Sequence, residues 1–358
     1  MPNEILTLFS SNSTTQYTKD IFSVLSLPRN SIINFRYQTQ HVDNSVKPVF
    51  EDRQNGIGIR VLIAFRSSEQ LDHDKIFIVP IRWATITNVK LFSDVYTISL
   101  SLQGYPSFSL KFRNICSNFF GINNYAKEYF KINKIELAVH SVHLDAVDLL
   151  DEVNRDTVNW RSIVEVILNI PEYENYHFLK SSAFYWEKNN PKTNRIEFKY
   201  FPQRDDGKFV LTEGKCAYLE LDYYSKNYNR DISRQINVFL DEKNIRKAKG
   251  LRTFLESRYG TVVLGFQPQK TNNNTVTEIT VCTESEPMDV IQTCVNFPIL
   301  IRKNRMYKIL KTIIMGFGAG LVALPGILGS NVEIWLNIIF ALSGVLVISL
   351  NSYLESKE

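Results

Sequence analysis

Two charge-free runs near the C-terminus limit what this chain can fold into more than any other feature. Residues 312–332 and 334–354 are 21 residues each without a charged side chain, and only Glu333 separates them. At a rise of about 1.5 Å per residue, roughly 20 helical residues cross the ~30 Å apolar core of a bilayer. Each run is therefore long enough to span one. Pro325-Gly326 and Gly329-Ser330-Asn331 fall where the chain must reverse. The expectation is a transmembrane hairpin with helices at about 309–329 and 332–354. A buried soluble hairpin is the weaker alternative, because neither run has a polar face to turn to water.

Charge sets an expected orientation. Arg302, Lys303, Arg305, Lys308 and Lys311 crowd the entrance, no acidic residue lies between Asp289 and Glu333, and the turn carries no Lys or Arg. Basic residues stay on the cytoplasmic side of membrane ends, which predicts an inner-membrane, multi-pass protein with both termini cytoplasmic. The polar stretch 1–20 has no apolar core like that of a secretory signal. The chain carries 41 Lys+Arg against 37 Asp+Glu, a net of +4. Nearly all of that excess sits at the entrance, where it suits anionic lipid, worth about 1 kcal/mol per cation near the surface. No basic stripe within the rest of the chain points to nucleic acid.

The first 300 residues read as strand. Tyr96, Ile98, Leu100 and Leu102 alternate with polar neighbours, as do Ile196, Phe198 and Tyr200, and Leu219, Leu221 and Tyr223. That period buries one face of a sheet. Further strands are expected at 32–37, 57–65, 75–81, 108–112, 178–186, 235–240, 261–267 and 276–282. Helical spacing of Trp160, Ile163, Val164, Ile167 and Leu168 predicts a helix over 157–169, ending before Pro171. Shorter helices are expected at 124–130, 144–153, 244–257 and 288–295. The fold class is α+β: a mostly β cytosolic region with few helices, plus the transmembrane hairpin. It divides into strand-rich domains at 1–150 and 151–301, followed by the collar and helices at 302–358.

Chemistry is scarce. His140 and His143, with Asp145 and Asp148 nearby, have ligand types for zinc or iron. Ile135, Leu137 and Val139 alternate as a strand, however, and continuing it sends the two histidines to opposite faces. Glu220, Asp222 and Lys226 imitate a metal-dependent nuclease, but the carboxylates fall at solvent-facing strand positions. The tyrosines Tyr218, Tyr223, Tyr224 and Tyr228 offer rings for base stacking and have few cations beside them. Phosphate loops, GxSxG and HExxH are absent. Cys116, Cys216, Cys282 and Cys294 have no paired spacing and are expected to be free thiols. The expectation is a non-catalytic protein without metal or cofactor. Within the apolar runs, Gly316 and Gly320 allow close helix packing, and Asn337 seeks a hydrogen-bond partner, so these three are the expected packing or oligomerisation residues.

The layout resembles the two-span membrane effectors encoded beside short prokaryotic Argonautes. The run Ile78-Val-Pro-Ile-Arg82-Trp83-Ala-Thr-Ile86 has the look of that group's N-terminal domain, and the collar Arg302, Lys303, Arg305, Lys308 and Lys311 matches a lipid-binding one. The resemblance implies an abortive-infection effector. It would bind anionic lipid, be triggered by a cytosolic nucleic-acid sensor such as a short Argonaute complex, and depolarise the membrane as a homo-oligomer. A tethered adaptor whose hairpin only anchors is the alternative.

Overall fold

The computed structural model describes residues 4–11, 15–52, 57–69, 72–108, 138–143, 149–150, 156–170, 173–190, 195–204, 206–226, 234–248, 254–255, 257–269, 273–285, 293–303, 305–328 and 333–357. Strands dominate them. The first sheet holds β1 (Glu4–Ser11), β2 (Ile32–Gln38), β3 (Arg60–Glu69), β4 (Asp72–Phe92), β5 (Val95–Leu102) and β7 (Val139–His143), in the order β2-β5-β4-β3-β1-β7. Its pairs are antiparallel except β1 with β3. Tyr96, Ile98, Leu100 and Leu102 are buried while the residues between them are half-exposed, the alternation read from the sequence. A short ribbon pairs β6 (Ser107–Phe108) with β8 (Leu149–Leu150).

The second sheet contains β9 (His177–Asn190), β10 (Arg195–Tyr200), β12 (Ala217–Ser225), β14 (Ile245–Lys247) and β15 (Tyr259–Pro268), ordered β10-β9-β12-β15-β14. The third contains β11 (Phe209–Thr212), β13 (Arg234–Leu240), β16 (Thr275–Ser285) and β17 (Thr293–Arg302), ordered β11-β17-β16-β13. These two sheets face each other. The ring of Phe184 on β9 lies 4.9 Å from Phe209 and 5.8 Å from Phe297, both on the third sheet. Their inner faces thus interdigitate as a sandwich core.

Helix α1 (Thr15–Ser26) packs against β1, β4, β9 and β17, so its buried Ile21, Phe22, Val24 and Leu25 join the first sheet to the sandwich. The Phe22 ring stacks on Tyr176 with centroids 5.4 Å apart and lies tilted against Phe178 at 5.7 Å. Gly207 makes a second tie. Its φ of +82° and its approach to the Ile32 backbone leave no room for a side chain. Helix α2 (Lys47–Glu51) lies beside β4, and α3 (Asp156–Ile167) buries Trp160, Ile163, Val164 and Ile167, as its spacing predicts. The chain ends in α4 (Arg305–Leu328) and α5 (Ile334–Lys357).

Several expectations are corrected. Strand β17 occupies part of the helix expected at 288–295. Its buried Val295, Phe297, Ile299 and Ile301 alternate at period two, a strand signal masked by the apolar tail that follows. Strand β14 likewise begins where a helix over 244–257 was expected, and α1 was missed because its apolar positions lie beyond residue 20. Cys282 and Cys294 are bonded to each other as directly opposed residues of β16 and β17, not free thiols. Cys216 is free and exposed, and Cys116 lies outside the described residues, as do the expected helix at 124–130 and most of that at 144–153.

The transmembrane hairpin is also corrected. Among the described residues no helix is long and apolar enough to cross a membrane. α4 carries Arg305, Lys308 and Lys311 in its own first turns and ends at Leu328. Its charge-free part, 312–328, is about 25 Å long, short of the ~30 Å a bilayer requires. In α5, Asn337 and Asn351 bracket an apolar stretch of only about 20 Å. The spans at 309–329 and 332–354 and the multi-pass inner-membrane localisation fall with it.

Candidate functional site

The two C-terminal helices carry an apolar surface that no other described part of the protein covers. On α4, Ile313, Met315, Phe317 and Val322 are 40–65% exposed; on α5, Ile334, Trp335, Ile338, Ile339, Leu342, Val345 and Leu346 are 47–79% exposed. The helices pack against each other at Gly344. A Cβ there would come within 2.6 Å of the Gly318 carbonyl and of Val322 Cγ2. The close approach is thus made by Gly344 on Gly318. Gly316 and Gly320, the glycines singled out from the sequence, face outward with nothing within 4 Å of a Cβ placed on either. Asn337 keeps a buried side-chain oxygen with no hydrogen-bond partner among the described residues. The Trp335 indole N–H donates to Glu333.

The basic collar is divided between body and helix. Arg302 ends β17 beside Thr212 of β11 and is exposed, while Lys303 donates its backbone N–H to Asn274 Oδ1 at 3.3 Å. Arg305, Lys308 and Lys311 fall in the first turns of α4. The structure therefore places all five beside one strand–helix junction.

A second polar assembly lies between the first sheet and the sandwich. The Arg82 guanidinium, 1% exposed on β4, donates to the carbonyls of Val24 and Leu27 at 2.6 Å each, and to Gln103 O at 2.9 Å. The Tyr105 hydroxyl donates to Leu25 O, and Ser181 on β9 donates to Ser26 O, both at 2.6 Å. Together they satisfy the carbonyls left open at the end of α1. Burial lowers the Arg82 pKa, opposed by Tyr105 and Asp156. Burial pushes Tyr105 up to about 12. Arg29 grips Asp156 in a two-point ion pair at 2.6 and 2.8 Å. Lys180 donates to Thr157 at 3.0 Å and lies 3.6 Å from Asp222; burial lowers its pKa and Asp222 raises it. Every member is spent on a neighbour. The assembly clamps α1 and α3 to both sheets.

The remaining sequence candidates separate. His140 and His143 stand three apart on β7, at strand positions on opposite faces, opposite Thr7 and Glu4. Asp145 and Asp148 lie outside the described residues, among which no cluster of metal-binding side chains occurs. Asp222 is half-buried, not solvated as expected: it accepts from Thr261 at 2.8 Å and faces Lys180. Tyr224 donates to Glu165 at 2.6 Å and Tyr223 meets Ser257 at 3.1 Å, which ties both rings into the fold. Tyr228 lies outside the described residues. Tyr185, Phe198 and Tyr218 form an outer aromatic face, with centroids at 5.3 and 5.6 Å. Burial raises the Tyr185 pKa, and the nearby carboxylates Glu220 and Glu187 raise it further.

A third feature, which the sequence reading missed, is a cleft of about 380 Å³ at the far end of β4. Phe50, Asp52, Ile57 and residues 88–92 line it. The signal was present as three bulky apolar residues, Ile57, Leu91 and Phe92, beside turn-forming Ser93-Asp94.

No family model and no curated protein matches the chain. Among solved structures, it is similar to the periplasmic chaperone SfaE at 11% identity and a TM-score of 0.20, over 26% of this chain and 53% of that one. The match thus spans about half of the chaperone's length. A Niemann-Pick type C2 protein from Japanese carpenter ant gives 11% identity and a TM-score of 0.21, over 35% and 92% of the two chains. The secreted serine protease VesC from Vibrio cholerae gives 8% and 0.19, over 77% and 69%. Scores this low carry no argument about fold or function.

Proposed function

We propose that this chain is a non-catalytic effector that acts by assembly, with the α4–α5 pair as its assembly surface and the β-rich body as its control. The observation that carries this reading is the row of eleven large apolar side chains left 40–79% exposed on the two helices. Covering each is worth about 1 kcal/mol or more, so a partner surface gains on the order of 10 kcal/mol before association costs. The outward Gly316 and Gly320 leave a shallow strip where another backbone can approach. The wiring to the body supports a controlled device. α4 starts three residues beyond β17, a strand held between β11 and β16 and packed against α1. The resemblance to Argonaute-associated effectors supplies the class of controlling partner, an immune sensor that detects invading nucleic acid.

Chemical cross-linking of the full chain and of a chain ending at Lys303, at equal concentration in mild detergent, tests the reading. The full chain is expected to form discrete oligomers and the shortened one to remain monomeric. A full chain that stays monomeric would leave the adaptor reading, in which the helix pair only docks on one partner.

A further inference from the structure

We infer that the far end of β4 is a strand-addition site, which takes an extended peptide segment of a partner with apolar side chains flanking an acidic one. The inference deepens the reading of the body as the receiving part, and does not require the helices to assemble.

Strand β4 outruns its neighbour. β3 begins at Arg60 opposite Thr85, and the last contacts on that side are Ile86 N–H to Ile59 O at 2.9 Å and Gly58 N–H to Ile86 O at 2.8 Å. Residues 88–92 continue for about 17 Å paired only with β5. Leu102 exchanges backbone bonds with the residues preceding β2, through Asn30 N–H to Leu102 O and Leu102 N–H to Ser31 O. Hence the even-numbered residues of β5 bond toward β2, and their opposites on β4, Val89 against Ile98 and Leu91 against Tyr96, turn N–H and C=O away from β5. Among the described residues nothing pairs with that side. An extended backbone supplies donors and acceptors alternately in the same row, which water or a helix does not.

The side chains favour occupancy. Phe92 is 83% exposed, Ile57 54% and Leu91 49%, and all three line the cleft beside the open edge. A lone lysine on an edge strand ordinarily guards against pairing. Lys90 is exposed, has no ion-pair partner among the described residues and lines the same cleft, on the face of β4 that it shares with Phe92. Such a cation selects a strand with a carboxylate opposite it and rejects a basic one.

The test uses the full chain and fluorescent dodecapeptides of alternating Val and Thr with Glu, Lys or Thr at the centre. Binding is read by anisotropy, and amide exchange by mass spectrometry. The Glu peptide is expected to bind saturably, at least tenfold tighter than the Lys peptide, and to slow exchange over 88–92. A copy N-methylated on the edge-facing amides should lose at least tenfold. Leu91→Pro removes only the outward donor and should lose as much with the β4–β5 ladder intact; Lys90→Glu should reverse the preference between the Glu and Lys peptides. Equal binding of the N-methylated copy, protection elsewhere, or no saturable binding by any peptide overturns the inference. Oligomeric state, followed on the same samples, reports separately on the assembly reading.

Discussion

Arg82 shows how a residue singled out by pattern acquires a physical role. In the sequence it stands just past the strand expected at 75–81, in the apolar run from Ile78 to Ile86 that carries the family resemblance, where a cation has no evident place. In the structure its guanidinium closes the end of α1, and the neighbouring Trp83 ring carries Arg60 at 4.1 Å. Replacing it with Met leaves three buried carbonyls without their donor, at about 1–3 kcal/mol each, offset in part by relief of a buried charge. Arg82→Met is therefore expected to lower the urea midpoint by an amount equivalent to about 2–4 kcal/mol. An unchanged midpoint would contradict the clamp. Asp20, on the same helix, has its pKa raised by burial from 3.8 to about 6. The folded chain then holds a proton that the unfolded chain releases between those values. This group's contribution is fully present below pH 3.8, falls as pH rises and is lost above about 6. Asp20→Asn should flatten that slope and stabilise the chain at pH 7 by about 1–2 kcal/mol, after discounting its partial exposure. Thermal unfolding at pH 4, 6 and 8 checks both sign and window.

At the scale of elements, legibility followed the length and purity of the pattern. β5, β12 and α3 were readable because burial follows the apolar period along each, whereas β10 has the alternating sequence but leaves Phe198 and Tyr200 exposed, against the expectation of a buried face. β17 and α1 were not, since a strand flowing into an apolar helix and a helix with a polar first half each mix two periods. The Cys282–Cys294 bond was invisible for another reason: it depends on the register of β16 against β17, which no residue spacing encodes. The C-terminal helices were readable as helices, but their ends were not, and the length of α4 decides whether it can cross a bilayer. Nor did the sequence distinguish which small residue makes the helix contact. Gly344→Leu should drive α5 away from Gly318 and Val322, an over-packing worth about 1–3 kcal/mol. The urea midpoint of Gly344→Leu should fall by an amount equivalent to that cost, and an unchanged midpoint would contradict the observed contact.

For the whole molecule, the apolar helix pair and the β-rich body place opposite demands on solvent. The body buries its apolar residues in a core that runs from the first sheet through α1 into the sandwich. The helix pair leaves its own exposed, so it needs a second surface, and a second copy of itself is the one the assembly reading assigns. The direct measurement is sedimentation velocity of the full chain and of the Gly316→Leu, Gly320→Leu double variant in the same mild detergent. Both positions face open space, so leucine there leaves the contact at Gly344 untouched and favours the helix by about 1 kcal/mol per site. Loss of assembly could not then be ascribed to a melted helix, and circular dichroism would confirm it. The account predicts oligomers for the parent chain and monomers for the variant, with equal helix content. A monomeric parent, or a variant that assembles as well as the parent, would contradict it.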